Sequence, residues 1–180
     1  SLSVDDREFD SELMLNYELG AKGLLFDDKL QTQISLFYQD RDEIQLKQSL
    51  VQSREESNAT TFGDYIGNSA AGSNRGVEVE FNWLATDTLA LFGSVGLLDT
   101  EYDVPLSADL DHREQAHAPS YQFALGVTAQ LTDSLTLTAD LEGKDKFYLS
   151  SSHDEQARSY ELINVSMAYV AGDWVLSMWG

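Results

Sequence analysis

The chain has 180 residues, of which 42% are hydrophobic, and it carries a formal net charge of −20. This composition excludes a disordered chain, because disordered chains lack the apolar residues needed for a packed structure. The absence of cysteine excludes disulfides and cysteine–metal sites, and the negative charge excludes nucleic acid as an expected partner, because its phosphates repel such a surface.

The predicted elements are β-strands, because hydrophobic residues recur with a period of two and helical periodicity is poor. Each predicted hairpin closes in a short cluster of turn-forming residues, such as Thr132-Asp133-Ser134. We therefore predict eight strands in four hairpins. In chain order, the strands are residues 13–25, 30–46, 76–84, 89–102, 121–131, 135–142, 160–170 and 174–179.

Each predicted strand has one apolar face and one polar face. The strand over residues 76–84 carries Val77, Val79, Phe81 and Trp83 on one face and Glu78, Glu80 and Asn82 on the other. In a soluble sandwich the apolar face would pack on a core, whereas in a membrane barrel it would meet lipid and the polar face would line the lumen. The alternation by itself leaves both folds open.

The connections between the hairpins are long and polar, in contrast to the turns within them. Residues 47–75, 103–118 and 149–159 are predicted to be loops. Short turns that alternate with long loops are the rule in outer-membrane barrels and are unusual in compact soluble domains. No run approaches the roughly 18 apolar residues of a transmembrane helix. The predicted fold class is all-β: an antiparallel, up-and-down transmembrane β-barrel segment with short periplasmic turns and long extracellular loops.

Aromatic residues lie at or near the ends of the predicted strands, where barrels carry girdles at the two membrane–water interfaces. Packing between neighbouring strands is the alternative explanation for aromatics at such positions. The residues concerned are Tyr17, Tyr38, Trp83, Tyr121, Tyr160, Tyr169 and Trp174.

Several segments resemble the C-terminal barrel of TonB-dependent receptors. The run Asn16-Tyr17-Glu18-Leu19-Gly20-Ala21-Lys22 resembles the family's Asn-Tyr-Glu-aliphatic-Gly-x-Lys strand, and Phe37-Tyr38 resembles the pair in its next strand. The most specific match is Arg75-Gly76-Val77-Glu78-Val79-Glu80, after Asn68. Residues 92–103, 118–121 and 179–180 resemble later parts of the barrel, in the family's order.

The resemblance implies part of a receptor for energy-coupled uptake of a scarce nutrient, most typically a ferric siderophore. It also implies the outer membrane of a Gram-negative bacterium, contact with outer-membrane lipid, and TonB as a partner through a plug region. The chain departs from the family pattern because no segment resembles the plug, and eight strands fall short of the family's 22. We therefore expect residues 1–180 to be part of a single β-barrel domain, with the plug and the remaining strands absent.

No catalytic site, metal site or cofactor is predicted. The sequence contains no His-Glu-x-x-His motif and no Gly-x-Ser-x-Gly elbow, so the chain is not expected to be an enzyme. Polar and aromatic residues of the predicted outer loops are the candidates for contact with a ligand. These candidates are Tyr65, Asn68, His112, Arg113, Tyr148 and His153.

Two other kinds of protein fit part of this pattern. The count of eight strands is also that of a small, self-contained outer-membrane barrel with a structural or adhesive role. The alternation of apolar and polar residues would also suit a soluble β-sandwich binding module.

Overall fold

The computed structural model describes residues 8–53, 60–104, 110–151 and 153–180, and within them the secondary structure consists of antiparallel strands. None of the described residues belongs to a helix long and apolar enough to cross a membrane. In chain order the strands are β1 (Leu13–Leu25), β2 (Leu30–Ser53), β3 (Thr60–Thr86), β4 (Leu89–Asp103), β5 (Tyr121–Thr132), β6 (Leu135–Lys144), β7 (Phe147–Tyr148), β8 (Gln156–Ala157), β9 (Tyr160–Ala171) and β10 (Trp174–Trp179).

Eight of these strands form one sheet in the order β1-β2-β3-β4-β5-β6-β9-β10, and β7 and β8 form a separate two-stranded ribbon. Each long strand therefore pairs with its neighbours along the chain. Four tight turns join β1 to β2, β3 to β4, β5 to β6 and β9 to β10. The prediction of eight strands in four hairpins is confirmed for this sheet.

The strand register joins the apolar faces of separate strands into one surface. Side chains directly opposite each other point to the same face of a sheet. One such row is Ala21, Ile34, Val79, Val95 and Phe123. The neighbouring row on the other face is Lys22, Gln33, Glu80, Ser94, Ala124 and Glu142. We call these surfaces the apolar face and the polar face.

The aromatic residues fall at two levels of the apolar face, as a pair of girdles requires. Trp83 lies opposite Leu30 near the short turns, and Tyr17 lies opposite Tyr38 towards the long loops. Leu30 and Tyr38 are eight residues apart on β2, or roughly 26 Å at about 3.3 Å per residue. Because barrel strands tilt by about 35–45°, this separation corresponds to roughly 19–22 Å of height, slightly less than an apolar band about 25 Å tall. Tyr160 differs, because its partner Lys144 belongs to the polar face.

The loop predicted over residues 47–75 was wrong over most of its described length. β2 continues to Ser53 and β3 begins at Thr60, and these two residues pair with each other. The register shifts between Arg41 and Ile44 and again between Ile44 and Gln45, close to Glu43, which has a φ of 57°. Backbone hydrogen bonds satisfy the N–H and C=O groups whatever the side chains are, so a ladder can continue where apolar alternation stops. Tyr65 and Asn68 consequently lie on β3 and not on a loop.

The β7–β8 ribbon overlaps the loop predicted over residues 149–159. Its first strand lies just before this loop, and its second strand lies within it. Phe147 pairs with Ala157 and Tyr148 with Gln156. Tyr148 is thus a strand residue, in contrast to its predicted loop position. Both strands are two residues long, too short for hydrophobic alternation to reveal them.

The structure does not match either alternative fold. A sandwich would bury its apolar face against a second sheet, yet Leu19 is 72% exposed and Ile163 is 71% exposed on this one. A self-contained barrel would pair its first and last strands, whereas β1 and β10 lie at opposite ends of the sheet formed by the described residues.

The main buried hydrophobic cluster lies at the long-loop end of the sheet. Ile44 and Leu46 of β2 pack with Ala70 of β3 and Tyr102 of β4, and all four side chains are buried. Val104 and Leu110, which belong to the β4–β5 connection, pack against this cluster. The cluster holds the long-loop ends of β2, β3 and β4 against the start of the β4–β5 loop, and so positions the candidate site.

Candidate functional site

The β4–β5 loop, described over residues 110–120, folds back over the polar face. Gln115 is buried, and its backbone N–H donates to Thr100 Oγ1 at 3.0 Å. Its side-chain Nε2 donates to the Glu101 carbonyl at 3.0 Å, and Arg41 Nη1 donates to Gln115 Oε1 at 2.8 Å. Gln115 therefore fastens the loop to β2 and β4.

We call these contacts of Gln115 the latch. Gly72 of β3 leaves the space that the latch needs. A Cβ atom on Gly72 would lie 2.8 Å from Gln115 Nε2 and 2.5 Å from the Glu101 carbonyl oxygen. Only a glycine lets the glutamine side chain approach this closely. Arg41 also donates from Nε to Glu12 Oε1 at 2.9 Å. The same arginine thus connects the latch to the segment that leads into β1.

Asn68 joins the segment before β1 to the upper part of the β2–β3 hairpin. Its Oδ1 accepts from the Asp10 N–H at 2.7 Å, and its Nδ2 donates to the carbonyls of Asp10 at 3.0 Å and Glu43 at 2.8 Å. Both ends of the amide are therefore engaged within the chain. Tyr65 is half-buried nearby, with its ring beside Gly67, whose Cβ would lie 3.3 Å from a ring atom.

Arg113 connects the β4–β5 loop to the β6–β9 loop, which comprises residues 145–159. Its Nη2 donates to the carbonyls of Ser150 at 2.9 Å and His153 at 2.6 Å. Its Nη1 lies 3.3 Å from Asp154 Oδ1, and its guanidinium carbon lies 3.9 Å from the centre of the Tyr148 ring. The arginine side chain is only 9% exposed, so its charge is held by other parts of the protein.

His117 provides a second connection between the same two loops. Its N–H donates to the Tyr148 carbonyl at 2.8 Å, and its ring lies 5.9 Å from the Phe147 ring. His117 adopts a φ of 61°, in the left-handed region that most non-glycine residues avoid. The contacts that fix the loop at this point offset the conformational strain.

His112 has an exposed side chain and an acidic surrounding. Its Nδ1 lies 2.7 Å from Glu101 Oε1, and its Nε2 lies 3.6 Å from Asp111 Oδ2. The hydrogen bond with Glu101 raises the pKa of His112 above the ordinary value of 6.5, and the charges of Asp111 and Asp103 act in the same direction. In the described part of the chain, no group of three or more His, Asp and Glu residues could hold a metal ion.

The contact between His112 and Glu101 should depend on pH. Because the pKa is raised in the folded protein, the contact stabilises the loop fully below about pH 6.5, and this contribution is lost as pH rises through the raised pKa. An NMR titration of the His112 ring in the full-length protein measures this pKa directly. Glu101→Gln should lower it towards 6.5; a wild-type His112 that titrates at or below 6.5 would contradict the assignment.

The polar face carries a depression below these loops. Its charged lining residues are three glutamates and one lysine, beside uncharged polar, small and apolar residues. The Lys144 Nζ lies 4.7 Å from the centre of the Phe147 ring and 5.3 Å from that of Tyr160. Small side chains of β4 and β5 leave the space open. The polar-face residues lining it include Glu78, Glu80, Ser94, Gln122, Ala124, Glu142, Lys144 and Tyr160.

The six candidate ligand residues divide into separate groups in the structure. Arg113, Tyr148 and the backbone of His153 meet at the loop contact, whereas Asn68 is bound to Asp10 and Glu43. The side chain of His112 is 74% exposed, and His153 is also an exposed residue.

Gln115 and Arg41 were not identified from the sequence. Their side chains hold the β4–β5 loop on β2 and β4 at the long-loop end of the polar face, a region that we call the mouth. Gln115 stands among other polar residues of a loop, so no local pattern distinguishes it. Arg41 gives a partial signal, since alternation places it on the same face as Gln39 of β2. Its two partners, however, lie on separate segments.

One sheet with an exposed apolar face, a polar opposite face and loops folded over one end defines the wall of an outer-membrane β-barrel. The sequence model for the TonB-dependent receptor-like β-barrel matches residues 2–179, so the chain belongs to this family. The family consists of transporters of the Gram-negative outer membrane, not enzymes. The resemblance inferred from the motifs is confirmed.

Solved structures of receptors share the fold at low sequence identity. The siderophore receptor PiuA from Acinetobacter baumannii is 17% identical with a TM-score of 0.74, and the match covers 96% of this chain and 24% of that one. The ferric yersiniabactin uptake receptor FyuA from Yersinia pestis is 16% identical with a TM-score of 0.70, covering 93% and 24%. The ferric-catecholate import receptor Fiu from Escherichia coli K12 is 16% identical with a TM-score of 0.66, covering 92% and 22%. The chain thus spans about a quarter of the length of these receptors.

Proposed function

We propose that this chain is part of the single barrel domain of a receptor that takes up a ferric siderophore across the outer membrane. Uptake would draw its energy from TonB, which would act through a plug region outside this chain. The observation that carries the proposal is the β4–β5 loop, because it folds over the polar face and leaves an open polar depression beneath it. The likeness to the siderophore and ferric-siderophore receptors PiuA, FyuA and Fiu supports a ferric siderophore as the substrate.

The six candidate residues are proposed to act at the mouth in two ways. The exposed side chains of His112 and His153 contact the substrate. Asn68, Arg113 and Tyr148 hold the segments and loops around it, and Tyr65 lies on the same β3 segment as Asn68. This division follows from exposure. The His112 side chain is 74% exposed although its Nδ1 is bonded to Glu101, and His153 is also exposed. The Arg113 side chain, in contrast, is only 9% exposed, and both ends of the Asn68 amide are engaged within the chain.

The proposal is tested by uptake of radioactive iron into cells that express the full-length protein. Catecholate, hydroxamate and carboxylate ferric siderophores are supplied separately as probes, with and without a functional TonB. We expect uptake of at least one probe and its loss without TonB. Uptake that persists without TonB, or the absence of uptake for every ferric probe, would overturn the proposed function.

His153→Ala should weaken binding of the transported probe. Loss of one hydrogen bond of about 0.5–1.5 kcal/mol corresponds to an increase in Kd of roughly 2- to 10-fold. Arg158→Ala is the matched control, because Arg158 is exposed on the same loop and has no hydrogen bond or ion pair with the described residues. Equal Kd values for His153→Ala and wild type would exclude His153 from the site.

A further inference from the structure

The β6–β9 loop has little structure of its own to hold it in place. Within its described residues, the regular pairing consists of the two-residue strands β7 and β8 and a hydrogen bond from the Leu149 N–H to the Glu155 carbonyl at 3.0 Å. A two-stranded ribbon is marginally stable by itself. The position of this loop therefore depends on contacts with other parts of the protein.

Two residues of the β4–β5 loop supply most of those contacts: His117, through its hydrogen bond to the Tyr148 carbonyl and its ring contact with Phe147, and above all Arg113. Four groups of the β6–β9 loop surround its guanidinium: the carbonyls of Ser150 and His153, the Asp154 carboxylate and the Tyr148 ring. Hydrogen bonds to a charged donor are stronger than neutral ones, and the 9% exposure of the side chain limits screening by solvent. This burial also leaves Arg113 Nε without a partner in the described structure, so the guanidinium position is set by its terminal nitrogens.

The β4–β5 loop, which Arg113 joins to the β6–β9 loop, is anchored on a different part of the sheet. The β4–β5 loop is fastened by the Gln115 side chain and backbone to Thr100 and Glu101 of β4 and to Arg41 of β2. In addition, the Tyr102 N–H of β4 donates to the Arg113 carbonyl at 2.9 Å, and the His112 N–H donates to the Tyr102 carbonyl at 2.9 Å. The β6–β9 loop leaves the sheet at β6 and β9. Arg113 thus connects the β6–β9 loop to the part of the sheet formed by β2–β4. The connection passes over β5, which lies between β4 and β6 in the sheet.

We propose that the β4–β5 and β6–β9 loops form one body, joined chiefly by Arg113 with a second contact from His117, and anchored on β2–β4 by the Gln115 latch together with the backbone bonds at Tyr102. A displacement of the β4–β5 loop then carries the β6–β9 loop with it. The inference goes beyond the proposed uptake function and does not depend on which substrate is carried.

Distances between spin labels in the full-length protein test this proposal. Because residues 1–180 contain no cysteine, labels can be attached in pairs to cysteines introduced at the exposed residues Asp42, Glu114 and Glu155. Position 42 reports on the wall, position 114 on the β4–β5 loop and position 155 on the β6–β9 loop. For the wild type, we expect one narrow distribution for each of the three pairs.

The two connections are removed separately. Arg113→Ala should broaden the 114–155 and 42–155 distributions and leave 42–114 narrow, because the latch at Gln115 remains. Thr100→Ala with Gln115→Ala removes the latch but keeps the backbone bonds at Tyr102. It should therefore broaden 42–114 and 42–155 by similar, moderate amounts and leave 114–155 narrow, because the contacts between the two loops remain. Arg158→Ala, the matched arginine control, should change none of the three.

Several results would overturn the proposal. The loops are independent if 42–155 stays narrow while 42–114 broadens in the Thr100→Ala, Gln115→Ala protein. Arg113 does not join the loops if Arg113→Ala leaves 114–155 unchanged, and the anchor is elsewhere if the double substitution leaves 42–114 unchanged. Resistance of the folded band to SDS at room temperature confirms that each variant is folded, and Arg113→Lys, which keeps the charge with fewer donors, should broaden 114–155 less than Arg113→Ala.

Discussion

Val95→Arg should strongly destabilise the protein in the membrane, whereas the same substitution at the adjacent residue, Ser94→Arg, should be tolerated. Val95 lies on the apolar face between Val79 of β3 and Phe123 of β5. An arginine near the middle of the lipid-facing surface of a barrel costs about 2–4 kcal/mol, because its charge is removed from water.

Ser94 points to the opposite face and lines the polar depression. It lies opposite Glu80, and Glu78 and Glu142 line the same depression. A guanidinium there remains among water and carboxylates, so we expect a change in stability below about 1 kcal/mol. Unfolding of the full-length protein by urea in phospholipid vesicles measures both values.

The comparison uses the same strand, adjacent positions and the same introduced side chain. Any difference therefore reports on the two faces and not on the loss of strand propensity. Equal destabilisation by the two substitutions, or a larger effect at Ser94, would show that the assignment of the faces is wrong.

Gly76→Ala is expected to destabilise the protein, in contrast to Gly96→Ala. A Cβ on Gly76 would lie 2.5 Å from the Leu97 carbonyl oxygen and 2.5 Å from Phe37 Cζ. The ring can rotate away, but the carbonyl belongs to the paired strand and cannot move without disturbing the ladder. Overpacking of this kind costs about 1–3 kcal/mol.

Gly96 is the matched control, because it also lies on the polar face, opposite Glu78. Its Cβ would meet Gln122 Cγ at 3.5 Å, an ordinary contact. Alanine there restricts the unfolded chain, so Gly96→Ala should be neutral or stabilising by about 0.4–1 kcal/mol. The same urea unfolding experiment measures both proteins, and a Gly76→Ala protein as stable as Gly96→Ala would contradict the close packing.

The glycines show how far sequence reasoning reaches. Glycines within a predicted strand indicate either a bend or a close neighbour; Gly20, Gly23, Gly93 and Gly96 are four of these. Of these, Gly93 has the tight contacts, because a Cβ there would lie 2.7 Å from Leu125 Cδ2 and 2.8 Å from Phe81 Cε1. The others have space for a methyl group. The cross-strand neighbour decides the difference, and the neighbour depends on the register.

The extended β2–β3 hairpin shows a second limit of prediction from the sequence. Alternation predicted the part of each strand that crosses the apolar band, because lipid on one side and water on the other impose it. Beyond Leu46 no such difference between the faces exists, so the strands continue without a hydrophobic pattern. The pairing of residues 45–53 with residues 60–68 depends on backbone hydrogen bonds, which every sequence without proline can form.

The sequence by itself determined the fold class, the four hairpins, the two faces of each strand and the receptor family. These features depend on local periodicity, on turn residues and on motifs in a fixed order. The tertiary structure decided which loop residues hold the mouth together. Gln115 and Arg41 are 74 residues apart, and Arg113 and His153 are 40 residues apart. Polar loop residues look alike in sequence because neither burial nor a hydrogen-bond partner is a local property; each depends on which segments the folded sheet brings together.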